Sequence, residues 1–297
     1  MIKRIQRPFA PAVLLTLGAC AGAHAQSAWL PAPGQFVATP AFTYSTFDEF
    51  WVGDTKVGPL KAGDESLDQL NVFLGLEYGI MDRLAADVTV GYTQVGSTDT
   101  FGNSSEDGLA DSILGIRYQL TEETDVLPLI AVRLGGVIAG SYDENTPFAP
   151  GDGANAVDGS LLFAKTFGDS GFGAYGDIGY RFRDSHAPDE FFGSVGVFKQ
   201  FSGIFTDSDA ITVSAGYRHI QSTSGLDIMG PGFDPGAGAG SGFPALKEIN
   251  QLVEGAIGYT DVGGRHYQFT IAKSVDGENT GDKLIFGFAV SLPFGGE

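Results

Sequence analysis

The chain has 297 residues and carries 36 acidic against 17 basic side chains, a balance that argues against nucleic acid as a partner because phosphate backbones are held by basic surface. Its 33 Phe and Tyr residues argue against a disordered chain, and its single cysteine excludes an internal disulfide. Glycine, at 44 residues, is about twice its usual share, which with the length suits one large all-β domain.

Residues 1–25 read as an export signal. Lys3, Arg4 and Arg7 precede an apolar stretch from Phe9 to Leu17, and Ala23-His24-Ala25 supplies small residues around a cleavage point, with Gln26 as the mature N-terminus. The apolar stretch is too short to span a bilayer, and no later run reaches the roughly 18 to 20 apolar residues a membrane helix needs. A second reading stays open: Leu17-Gly18-Ala19-Cys20 has the form of a lipobox, in which Cys20 is acylated. Cleavage after Ala25 removes Cys20 and, with it, thiolate chemistry and cysteine metal sites. It also removes three of the basic residues, so residues 26–297 carry 14 basic against 36 acidic side chains, about −22.

From there the chain alternates with period two. Apolar residues face one way and mixed residues the other, in segments bounded by turn residues. Twelve strands are predicted, near 35–51, 68–80, 83–97, 109–121, 126–142, 156–168, 172–184, 190–202, 210–222, 247–260, 265–275 and 282–294. In the second, Leu70, Val72, Leu74, Leu76, Tyr78 and Ile80 oppose Asn71, Phe73, Gly75, Glu77 and Gly79. In the last, Leu284, Phe286, Phe288, Val290, Leu292 and Phe294 oppose Ile285, Gly287, Ala289 and Ser291. A ribbon with one apolar face, repeated around a closed sheet, satisfies its backbone groups without water. The predicted fold is therefore all-β: a closed antiparallel transmembrane β-barrel of about twelve strands over residues 26–297. A soluble periplasmic β-protein with a dry core between two sheets is the competing fold.

The connections alternate as well. Short turns fall at 81–82, 121–125, 168–171, 203–209 and 261–264; long polar or Gly-rich loops fall at 52–67, 97–108, 143–155 and 224–246, with shorter members at 185–189 and 276–281. Short periplasmic turns with longer extracellular loops are the pattern of membrane barrels. Tyr78, Tyr118, Phe167, Phe172, Phe201, Tyr259, Tyr267 and Phe294 flank the short turns. Tyr44, Phe47, Phe50, Trp51, Tyr92, Tyr142, Phe182, Phe191 and Phe192 lie near the other rim. Such placement suits aromatic belts at the two interfaces.

Three segments carry a family resemblance: Asp107-Gly108-Leu109-Ala110-Asp111 with the strand Ser112–Leu120 after it, the turn Glu77-Tyr78-Gly79-Ile80-Met81-Asp82-Arg83-Leu84, and the closing Gly287-Phe288-Ala289-Val290-Ser291-Leu292-Pro293-Phe294. Together they resemble the outer-membrane barrel family of the phenol-degradation meta pathway. Ala110 stands where that family usually has Gly, and Gly295-Gly296-Glu297 follow the aromatic with which many barrels end. The resemblance implies uptake of small, hydrophobic or aromatic compounds. The implied partners are outer-membrane lipid, a small-molecule solute and the barrel-assembly machinery.

The charged residues predicted to face the lumen are Glu77, Asp87, Asp111, Arg117, Arg133, Asp177, Arg181, Arg183, Arg218 and Glu254. They either pair and fill the interior or line a polar path that tunes selectivity. Asp177, Arg181 and Arg183 share a face of one strand and are the first choice for a constriction or gate. A lipid-modifying enzyme would need a histidine beside a hydroxyl. His219 has such a group, Ser222, nearby in sequence, but the two have opposite parity. No catalytic residue, metal ligand or cofactor is predicted: the histidines are scattered, and the acidic loops lack ordered Ca²⁺-loop spacing. The leading function is passive uptake of small solutes, with a closed structural or interaction barrel as the alternative.

Overall fold

The computed structural model describes residues 27–58, 66–99, 102–146 and 149–296. The predicted signal peptide, Cys20 and Gln26 lie outside the described residues. Alternating sequence becomes alternating burial along most of the barrel strands. The strands are β1 (Phe36–Phe47), β2 (Phe50–Val52), β3 (Thr55–Val57), β4 (Leu67–Met81), β5 (Leu84–Asp99), β6 (Gly102–Leu109), β7 (Ser112–Thr121), β8 (Leu129–Ile138) and β9 (Ala156–Thr166). They continue as β10 (Phe172–Arg183), β11 (Glu190–Ser202), β12 (Ala210–Ser222), β13 (Ile249–Thr260), β14 (His266–Glu278) and β15 (Leu284–Phe294).

All but β2 and β3 join one antiparallel sheet. The first strand meets the last, with Phe36 opposite Phe294, and also pairs with β4, so the sheet has no open seam. β6 and β7 both pair with β5 and form the two halves of a single stave, so the barrel has twelve staves, as the periodicity predicts. The break between them is a bulge. Thr89 lies opposite Ile113 while Tyr92 lies opposite Leu109, so the β6–β7 side has one extra residue at Ala110–Ser112. This is the segment that carries the family-like Gly-Leu-Ala-Asp.

In β4, Leu67, Gln69, Asn71, Gly75, Glu77 and Gly79 are buried, while Leu70, Val72, Leu74, Tyr78 and Ile80 are exposed. The other staves repeat the pattern, so apolar side chains cover the outside and mixed side chains the inside. A dry core between two stacked sheets is not what the chain builds. Aromatic residues ring the short-turn end: Tyr78, Tyr118, Phe167, Phe172, Phe201 and Phe294 are exposed there, and Tyr259 stacks on Tyr267.

Four local expectations are corrected. β1 stops at Phe47 instead of running to 51, because the chain turns at Asp48-Glu49 and enters the small β2–β3 hairpin. The predicted loop 97–108 is largely a hairpin, since β5 runs to Asp99 and returns as β6. β8 is shorter than 126–142. Pro128 has no N–H for the ladder, and at the far end Gly140 N and the Tyr142 hydroxyl turn to the Asp111 carboxylate instead of a neighbouring strand. Finally, Trp51, Tyr142 and Phe192 are buried and do not join the belt at the long-loop rim, where Tyr92, Phe182 and Phe191 are exposed.

Candidate functional site

The barrel interior gathers the charged residues of seven staves into one connected ladder. It starts near the short-turn end, where Arg117 of β7 pairs with Glu77 of β4 and, through Nε at 3.3 Å, with Asp87 of β5. Asp87 also accepts from Arg133 Nη2 of β8 at 2.9 Å. Arg133 Nη1 reaches Asp158 of β9 at 2.7 Å, and Asp158 lies 3.7 Å from Arg181 Nε of β10. Arg181 Nη1 donates to Glu190 of β11 at 2.9 Å, and Glu190 also pairs with Arg183, which reaches Asp152 in the loop after β8. Guanidinium and carboxylate alternate throughout. Each Arg uses its planar fork to span two carboxylates, which a point-charge ammonium does less well. Arg117, Arg133 and Arg181 are only 2–3 % exposed.

Of the residues that parity predicts to face the lumen, the structure brings Glu77, Asp87, Arg117, Arg133, Arg181 and Arg183 into one network. Asp177, on the same face of β10 as Arg181 and Arg183, belongs to a separate group. It accepts from the Ser194 hydroxyl, and Arg218 Nη2 lies 3.9 Å from Glu254 beside it. The three residues favoured as a gate are therefore divided between two clusters. Asp111 sits at the β6–β7 bulge near the long-loop end and serves the following loop: its Oδ1 accepts from Gly140 N at 2.8 Å and the Tyr142 hydroxyl at 2.6 Å.

The opposite wall, built from β13, β14, β15, β1 and the long-loop halves of β4 and β5, is largely neutral. Thr39 donates to Ser291 at 3.1 Å, Asn71 to Thr43 at 2.9 Å, Thr93 to Asn71 at 2.6 Å and Gln268 to Thr270 at 3.1 Å. Leu252, Ala272 and Ile285 form an apolar patch among them.

The short-turn half of the lumen holds part of the chain itself. Residues 27–35 fold back inside the barrel. Ala28 packs against Leu129, Ala131, Leu162 and Ala164, and Trp29 meets Phe198 edge-on at 5.9 Å between ring centres. Arg117 Nη1 donates to the Ser27 carbonyl at 2.8 Å. On the other side, Gly34 N donates to Gly79 O at 2.8 Å and Gly79 N to Gln35 O at 2.9 Å. A Cβ on Gly79 would lie 2.1 Å from the Ala32 carbonyl oxygen, so only glycine allows this approach. The segment bridges from the β4 wall to the β8–β11 wall.

At the long-loop end lies an open cavity of about 100 Å³. Phe47, Phe50 and Phe243 contribute rings, and Arg183, Glu190 and Glu248 contribute charges. Glu248 precedes β13, and its carboxyl is pushed up to about 8. Burial is the main cause and nearby Asp152 adds to it, against the opposing pull of Lys283 and Arg183.

The alternation could have supplied one ladder member that the sequence reading omits, Asp158, which shares parity with buried Leu162 and Ala164. Glu190 opens its strand and Asp152 lies in a loop, so periodicity gives little signal for either. Ser27 has none. His219 and Ser222 lie on opposite faces, as expected: Ser222 is buried, while His219 Nε2 meets Gln221 Oε1 at 3.2 Å. A second histidine, His266, sits 2.9 Å from the Thr260 hydroxyl. Among the described residues, no group of three or more His, Cys, Asp and Glu could hold a metal ion.

An outer membrane channel from Pseudomonas putida F1 superimposes with a TM-score of 0.65 at 14 % identity, over 90 % of this chain and 97 % of that one. That likeness is one of fold. LpxR from Salmonella typhimurium (TM-score 0.49, 11 % identity, 86 % and 99 % of the two chains) and the CymD monoaromatic hydrocarbon channel (TM-score 0.45, 10 % identity, 90 % of each) are further similar structures. No curated protein matches the chain. Residues 70–225, more than half of the chain, match the family described as "Putative MetA-pathway of phenol degradation", and the chain, a twelve-staved barrel of the outer-membrane kind, belongs to that family.

Proposed function

We propose that this barrel carries out passive uptake of small solutes, hydrophobic or aromatic in character, across the outer membrane. The supporting observation is the cavity open at the external end, where aromatic rings face polar and charged side chains. Its volume is roughly seven times what a single water requires. Below it, the neutral wall of β13–β15 and β1 offers hydroxyls, amides and an apolar patch, while the ion ladder occupies the other wall. The inserted residues 27–35 are the inner stop. They are not part of the sheet, so their withdrawal lengthens the path without opening the barrel. The aromatic character of the solute rests on the family description. Glu77, Asp87, Asp111, Arg117, Arg133, Asp177, Arg181, Arg183, Arg218 and Glu254 act here as wall and selectivity residues, with no cofactor and no catalytic role. Removal of residues 1–25 after Ala25, delivery by the assembly machinery and burial of the outer face in lipid complete the reading.

Single-channel recording of the purified full-length protein in planar bilayers, together with uptake of one-ring solutes into liposomes, tests it. Discrete current steps and uptake are expected. A folded barrel with neither would overturn the reading in favour of a closed structural barrel, which the near-complete burial of Arg117, Arg133 and Arg181 favours.

A further inference from the structure

Three external segments meet on one side chain. Asn279, in the loop between β14 and β15, is fully buried and has a φ of +51°. Its Oδ1 accepts from Gly53 N at 2.9 Å and Ile228 N at 3.2 Å; its Nδ2 donates to Lys247 O at 2.8 Å and Asp227 Oδ1 at 3.3 Å. A carboxamide offers two donor hydrogens and two acceptor lone pairs, and here all four are used. Gly53 belongs to the turn of the β2–β3 hairpin. Asp227, Ile228 and Lys247 belong to the two ends of the long segment between β12 and β13, which a parallel bridge between Leu226 and Leu246 brings together.

The ties differ in kind. The hairpin is joined to the β14–β15 loop by backbone hydrogen bonds, from Trp51 N to Thr280 O at 2.8 Å and from Asp282 N to Glu49 O at 2.9 Å. The long segment is joined to that pair through the Asn279 amide, with the partly exposed Lys247–Glu278 ion pair beside it. Exposed pairs hold little. Loss of the amide, by contrast, would leave Ile228 N and Lys247 O without their partner, and an unmet buried backbone group is costly. The same segments roof the external cavity: Phe50, Thr280 and Gly281 line one side, and Phe243, Pro244 and Leu246 the other.

We propose that Asn279 is the positioning residue of the external cavity, its amide pinning the long segment against the β2–β3 hairpin so that the two roof the mouth as one body. Its consequence for passage rests on the channel reading above; the pin itself does not.

Asn279→Gly is the test, because glycine accepts the left-handed backbone and only the amide is lost. In full-length protein folded in detergent, hydrogen exchange at residues 226–230 and 244–248 is expected to quicken at least tenfold, with β7 to β11 unchanged. In planar bilayers, currents are expected to become larger or more frequent. Wild-type exchange in the long segment would overturn the proposal. So would faster exchange in a variant whose currents match those of a wild type that conducts, which would make Asn279 structural only. Faster exchange in a variant that, like the wild type, passes no current would uphold the pin and instead reject the channel. If the glycine variant does not fold, Asn279→Asp serves. It keeps acceptors for Gly53 and Ile228 and loses the donors to Lys247 and Asp227, so exchange is expected to quicken at 244–248 more than at residue 53, and equal wild-type rates at both would overturn the pin.

Discussion

Arg117 holds the inserted N-terminal residues to the charge ladder: Nη1 donates to the Ser27 carbonyl at 2.8 Å while Nη2 pairs with Glu77. One guanidinium therefore links a segment outside the sheet to charges on the wall. A chain starting at Gly34 loses the Ser27 contact, the Ala28 packing and the Trp29–Phe198 contact but no stave. Its barrel is expected to fold and to pass several-fold larger or more frequent currents than the full-length protein. Equal currents in the two, with both barrels folded, would show that residues 27–33 do not stop the path.

Gly79 offers the converse route. A Cβ there would sit 2.1 Å from the Ala32 carbonyl oxygen and 2.7 Å from the Pro31 oxygen. Both are backbone atoms, so the inserted segment must shift as a whole. Gly79→Ala is expected to raise current as truncation does, and combining the two changes should add little. Recordings of the two single variants and the double variant measure that coupling.

Arg133 bridges Asp87 and Asp158 and is almost fully buried. Arg133→Met leaves two carboxylates without their shared cation, a kind of loss that typically costs about 3–5 kcal/mol. Urea unfolding in detergent or lipid should show this. Adding Asp158→Asn to Arg133→Met should recover part of the loss, because it removes one of the stranded charges.

Glu248 makes the roof pH-sensitive. Its folded carboxyl is raised to about 8, by burial first and by nearby Asp152, against Lys283 and Arg183. A raised acid keeps in the fold a proton that the unfolded chain has already released. Local stability is therefore greatest below the ordinary carboxylate range and falls as pH rises towards about 8. Hydrogen exchange at residues 244–248, corrected for intrinsic rate, should quicken from pH 5 to pH 8.5, and Glu248→Gln should flatten the trend.

Val195 is exposed on the outer face of β11, beside inward-facing Ser194. If the outer face meets acyl chains, Val195→Arg costs about 2–4 kcal/mol in lipid near mid-membrane. The penalty should disappear for the same substitution at a tip such as Val262. Equal penalties at both positions would argue against a lipid-facing wall.

The staves, their count and their faces were legible in the chain because the side-chain period of a strand is two, and any register error would put Val72 or Leu74 inside and Asn71 outside. The inward charges of β4, β5, β7, β8, β10, β12 and β13 followed from the same rule. Parity says which way a side chain points but not at what height it meets another stave. That is why Arg181 and Asp177, four residues apart on one face, fell into different clusters. The bulge at Ala110–Ser112 and the inward turn of Tyr142 were hidden for a related reason: alternation carries no signal for an inserted residue or for a loop that folds back.

What alternation alone determined is a closed sheet with an oily outside and a mixed inside. What required the third dimension is everything that crosses the lumen or its mouth: Ser27 against Arg117, Ala32 against Gly79, and Asn279 against Gly53 and Lys247. Those contacts join residues tens to hundreds of positions apart, and they depend on the shear and height of the closed barrel. Local periodicity has no access to either, because each strand's pattern is the same whatever lies across from it.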